Sequence, residues 1–148
     1  MGWGTRGRTL LAVALAAGVG VAAGCGDDDD AAAISKGDFI AQAGEICRSG
    51  DRELEATGAE LFAGGEPDPQ DMRRWIDEVF APTVRGQVAD IRALGAPAGD
   101  EDEIAAILDA ADRGVDEIHE DPSRLGSGDN SLDEATRSIV EYGVEECG

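Results

Sequence analysis

From Ile34 to its end, the chain repeats apolar side chains every three or four residues and nowhere alternates them with polar ones, a spacing that calls for helices. A half-buried strand needs every second residue apolar, so the chain holds no obvious material for a sheet. Phe39, Ile40, Ala43, Ile46, Cys47, Leu54 and Leu61 mark one face of a first helix. Ser35 and Asp38 form a capping box at its start, and Gly64-Gly65 are expected to end it. Asp68 then caps a second helix, with Pro69 in the first position, where a missing N–H does no harm. Its face runs through Met72, Trp75, Ile76, Val79, Phe80, Val84, Val88, Ile91 and Leu94. Pro82 falls inside this run and should kink the helix. Because the apolar phase continues beyond it, one bent helix is expected in place of two. Phe62, Trp75 and Phe80 read as core anchors.

Gly95 to Gly99 close the second element, and Asp100 to Glu103 place negative charge at the start of a third helix, where the helix dipole favours it. Ile104, Ile107, Leu108, Ala111, Val115 and Ile118 give its buried stripe, and Asp121-Pro122 stop it. After a polar loop from Ser123 to Asn130, Ser131 and Glu134 make a second capping box. Leu132, Ala135, Ile139 and Tyr142 mark a last short helix ending near Cys147. The expected architecture is all-α, an up-down-up-down bundle of about four helices with the second kinked at Pro82.

Charge narrows the function classes. The chain of 148 residues carries 32 acids against 12 lysines and arginines, a net −20. Nucleic-acid binding needs a basic footprint, so no nucleic-acid partner is expected.

The amino end has the layout of a secretory leader: Met1 to Thr9 carry Arg6 and Arg8, and Leu10 to Ala23 contain no charged residue. That apolar run is shorter than the ~20 residues a membrane-spanning helix needs. Val21-Ala22-Ala23-Gly24-Cys25 resembles a bacterial lipobox. The resemblance implies a diacylglyceryl group on the Cys25 sulfur and cleavage before it, leaving the protein anchored by lipid at the extracytoplasmic face of the cell membrane. Two or more acyl chains make such an anchor lasting. Residues 1–24 are then a lipoprotein signal peptide, 25–34 the lipidated cysteine with a flexible acidic linker, and 35–148 the bundle domain.

If Cys25 is lipidated, Cys47 and Cys147 remain, and outside the cytosol an even pair is most simply a disulfide. In an up-down-up-down bundle, the start of the first helix and the end of the fourth lie at the same end, which suits that pairing. Free thiols or a metal pair are the alternatives. Two cysteines and one histidine are too few for a structural zinc site without carboxylate help. The segments ISKGDFIAQAGEICRSGDRELEA, RALGAPAGDEDEIAAILDA and YGVEECG resemble a group of small secreted or lipid-anchored helical proteins of GC-rich bacteria. The resemblance covers nearly all of Ile34 to Gly148. It implies the same fold, anchor and disulfide, and transfers no catalytic residue.

Chemistry is sparse. His119 is the only histidine, and no catalytic triad, metal-binding or phosphate-loop motif accompanies it. It suits the end of a helix, where a protonated imidazole is favoured. No catalytic residue, metal site or cofactor is assigned. Arg74, Arg85 and Arg92 share one stripe of the second helix if Pro82 does not disturb its phase, and could hold an anionic ligand, although in so acidic a chain they would more often pair with Asp and Glu. Gly44, Gly50 and Gly58 each weaken the first helix by about 1 kcal/mol relative to Ala, and close approach of a neighbour would explain them. The reading that follows is a membrane-tethered module that binds a protein or small ligand without catalysis. The alternatives are a small carboxylate-dependent enzyme at the cell envelope and a binder of cations or cationic ligands.

Overall fold

The computed structural model describes residues 33–148. The leader, Cys25 and most of the acidic linker lie outside the described residues. Helix α1 spans Lys36–Leu61, α2 Pro69–Trp75, α3 Ala81–Ala93, α4 Glu101–Glu120 and α5 Ser131–Tyr142. Among the described residues there is no strand, and the fold is an all-α bundle.

Caps fix where the helices begin. Ser35 Oγ accepts from the Asp38 N–H at 3.1 Å and donates to the Asp38 carboxylate at 2.7 Å. Asp68 accepts from the Gln70 N–H at 2.8 Å, with Pro69 next to it as expected. The second capping box is shifted by one residue. Asn130, not Ser131, is the N-cap of α5: its side chain accepts from Leu132 and Asp133, and Asp133 reaches back to the Asn130 backbone. Ser131 is freed for another contact. Its N–H and its hydroxyl both donate to Glu117 on α4, at 3.1 and 2.7 Å, which ties the start of α5 to α4.

Helix α1 stops at Leu61, short of Gly64-Gly65. Phe62 therefore lies past the last turn and is 48% exposed, so it is not the core anchor its aromaticity suggested. α5 ends at Tyr142, before Cys147. Gly143 (φ 123°) takes a backbone conformation that a side chain would strain, and Glu145–Cys147 form a separate 3-10 turn.

Pro82 neither ends nor splits the second element. A π-helical turn, Ile76–Phe80, joins α2 directly to α3, and its closing bond runs from the Ala81 N–H to the Ile76 carbonyl. The wider turn stands just before the proline, where the ring would crowd the carbonyl four residues back. The apolar series Ile76, Phe80, Val84 and Val88 repeats every four residues, slower than the helical 3.6. A π turn takes up part of that drift, and all four side chains remain buried.

Helix α1 packs on α3, α3 on α4 and α4 on α5, while the carboxy-terminal turn returns to α1. The α4–α5 contact depends on Gly114. A Cβ there would stand 2.5 Å from Leu132 Cα and closer still to the Leu132 backbone nitrogen. The glycines of α1 divide: Gly44 leaves room for the Glu146 side chain and Gly50 for Gln87 of α3, whereas Gly58 meets nothing nearer than Trp75 at 3.9 Å. At the other end of α5 the Tyr142 hydroxyl donates to Asp100 at 2.6 Å. The Tyr142 ring meets Phe39 edge-on at 5.8 Å and carries Lys36 Nζ 3.8 Å above its centre.

Candidate ligand-binding cavity

Cys47 and Cys147 are joined, with their Cα atoms 5.1 Å apart across a sequence separation of 100. The bond and the carboxy-terminal turn span the side of the bundle where α1 faces α5. Few close backbone approaches link those two helices directly. Behind the bond lies a cavity of about 200 Å³. Its floor is made of Phe80, Val84, Val88 and Ile91 from the second element, Ile107, Leu108 and Ala111 from α4, and Ala135 and Ile139 from α5. All nine are buried. Ala111 and Ala135 supply only methyl groups here, too short to fill the space between four helices.

Beside the buried Cys47, six half-buried lining residues mark the mouth: Asp51 and Leu54 on α1, Leu132 and Thr136 on α5, Gln87 and Cys147. Asp51, Gln87 and Thr136 are the polar side chains among them, and Asp51 is the one charge. Gln87 is held from behind, its Nε2 donating to the Cys47 carbonyl at 3.1 Å across the space that Gly50 leaves. Burial pushes the Asp51 carboxyl above its ordinary range, the nearby Glu55 charge adds to this, and the Gln87 side chain works against it.

None of these polar residues stood out in the sequence. A signal was present: Asp51 falls four residues after Cys47 and three before Leu54, a carboxylate on the apolar stripe of α1. Gln87 likewise sits between Val84 and Val88.

The residues that did stand out are engaged elsewhere. Arg85 pairs with Asp116 at 2.6 Å, and Arg92 with Asp109 and Asp112 at 3.1 and 3.2 Å, so both cross-link α3 to α4. Arg74 pairs with Asp71 on its own helix at 3.0 Å. The three arginines thus have carboxylate partners and do not converge on one space. His119 lies in the last turn of α4, with Nε2 3.3 Å from Asp77. Trp75 donates to Thr57 at 3.1 Å and stacks at a tilt on Phe80 at 5.7 Å. Among the described residues no group of three or more His, Cys, Asp and Glu is arranged to hold a metal ion. No helix among them is long and apolar enough to cross a membrane.

On the outer side of α1 and α3 runs a more open groove lined by Glu45, Glu53, Glu78 and Asp90, with Ile46 and Pro82 among them. Its carboxylates face open solvent, where counter-ions screen them.

No family model, curated protein or solved structure matches the chain. What defines it is therefore its own geometry: an all-α bundle closed by a long-range disulfide over an apolar cavity with one carboxylate at the mouth.

Proposed function

We propose that this protein is a lipid-anchored binding module of the cell envelope, and that its site is the cavity behind the Cys47–Cys147 bond, taking a small, mainly apolar ligand. The cavity carries the reading. An apolar cleft of about 200 Å³ that opens to solvent leaves its lining side chains short of packing partners. Apolar pockets of this size accept apolar guests. A chain that keeps one open to solvent between four helices gives up stability that larger side chains at Ala111 and Ala135 would restore. A rigid wall supports the same role, because the disulfide holds α1 against the end of the chain.

The lipobox-like Val21 to Cys25 and the resemblance to small lipid-anchored helical proteins support the anchor. The secretory leader and the disulfide agree with an extracytoplasmic address. Within the cavity, the two facing carboxylates that a glycosidase-type reaction needs are not present, since Asp51 is the one carboxylate on its lining.

Two measurements test the proposal. Ethylbenzene should raise the melting temperature of the purified protein in a saturable way, and no shift at its solubility limit would overturn the cavity reading. In cells, Cys25→Ala should move the protein from the membrane to the soluble extracytoplasmic fraction. Retention in the membrane would overturn the anchor.

A further inference from the structure

We propose that the ligand of this cavity is a small organic cation, an aryl- or alkylammonium whose apolar body fills the floor and whose ammonium group meets Asp51 at the mouth. This rests on the cavity reading and adds the chemical class of the ligand.

Three observations carry it. First, Asp51 is the one charged side chain on the lining, and no basic side chain lines the cavity. Arg52, next to Asp51 in sequence, is exposed and does not line the cavity, and Arg48, one turn back on α1, is taken up by Glu45 and Glu146, both at 2.6 Å. Second, the carboxylate is poorly compensated. It is half-buried, Glu55 one turn further along α1 adds negative charge beside it, and the Gln87 side chain is its one neutral support. An ammonium ion supplies the charge-assisted hydrogen bond that the fold withholds. Third, the whole chain is strongly acidic, at net −20, so its field draws in cations and repels carboxylates and phosphates.

Size completes the assignment. A cavity of roughly 150 Å³ holds benzene, and the ~200 Å³ here takes one ring with a short chain. A 2-phenylethylammonium ion meets both requirements, with its ring on the floor and its nitrogen at the rim.

The test compares 2-phenylethylammonium, ethylbenzene and 3-phenylpropionate by calorimetric titration into the purified protein near 0.15 M salt, in wild type, Asp51→Asn and Asp90→Asn. Asp90 borders the outer groove and serves as the control for general acidity. The ammonium should bind wild type about tenfold more tightly than ethylbenzene, a charge-assisted bond being worth roughly 1.5 kcal/mol or more, and the carboxylate should bind more weakly than either. Asp51→Asn should remove the preference and leave ethylbenzene binding intact, which also shows that the variant is folded. Asp90→Asn should leave the preference in place.

Equal binding of the ammonium and ethylbenzene to wild type would overturn the cation assignment while leaving the cavity reading standing. A preference that survives Asp51→Asn, or that falls as far in Asp90→Asn, would do the same. If neither compound binds, both readings fall.

Discussion

Two mid-helix glycines, Gly86 in α3 and Gly114 in α4, should respond to the same substitution with opposite sign. On helix propensity alone, Gly→Ala at either site should stabilise by about 1 kcal/mol. At Gly86 nothing lies within 4 Å of the added Cβ, and the residue is exposed. The propensity gain should appear nearly whole there. At Gly114 the added Cβ would stand 2.5 Å from Leu132 Cα. The obstacle is backbone, at the start of a helix that Glu117 holds through two hydrogen bonds, so it cannot swing aside as a flexible side chain would. Overpacking typically costs about 1–3 kcal/mol, and an obstacle of backbone places the cost at the upper end. Subtracting the propensity gain leaves Gly114→Ala about 1–2 kcal/mol less stable than wild type. Urea unfolding followed by far-ultraviolet circular dichroism reads both variants, with the midpoint rising for Gly86→Ala and falling for Gly114→Ala at unchanged slope. A midpoint for Gly114→Ala at or above wild type would refute the close approach of α4 and α5.

Opening the disulfide should cost up to about 4.7 kcal/mol, the chain-entropy figure for a loop of roughly 100 residues, and the intact mass should rise by two hydrogens on reduction; alkylation of both thiols without reductant would contradict the bond. Tyr142, the single tyrosine, should titrate late. Burial first, and then the bond to the Asp100 carboxylate, push its hydroxyl far above the ordinary value. Because the folded-state value lies above the unfolded one, its contribution to stability is complete below about pH 10 and is lost as the pH climbs past it. Tyrosinate absorbance should therefore rise near pH ~10 in urea but not in the native protein; a native rise at that pH would refute the bond. At the acidic end, Asp100, Glu117 and Asp121 are held below the ordinary range, mainly by hydrogen bonds from Tyr142, Ser131 and Ser123. Their contribution is complete above about pH 4 and is lost as the pH falls through the depressed folded-state values. Acid unfolding should thus come on below pH ~4, and Ser131→Ala, which leaves the Asn130 cap intact, should shift it upward.

The helices were legible because their signals are local. Ser35, Asp68 and the apolar stripes act within a few residues, and the Cys47–Cys147 pairing needed only a compartment and a topology. The shifted cap at Asn130 shows where local reading fails: a serine and an asparagine stand side by side, and Glu117, 14 residues back along the chain, decides which of them caps. The π turn was half legible in a four-residue repeat too slow for an α-helix. The cavity was not legible, because it is made of what four helices leave unfilled. Alanines at 111 and 135 look like ordinary core until all the facing side chains are known. The arginine stripe assumed an unbroken α-helical phase; the π turn between Arg74 and Arg85 alters that phase, and Arg85 and Arg92 pair with carboxylates of the facing helix while Arg74 pairs within its own.

The Cys47–Cys147 bond also decides how the chain bears load. Tension applied between Lys36 and Gly148 runs along α1 to Cys47, crosses the sulfur–sulfur bond and leaves through Gly148. Everything between the two cysteines, including most of the cavity wall, sits on a covalent bypass and is never stretched. Such a pull can fray the first turns of α1, but it cannot draw out the bundle behind the bond.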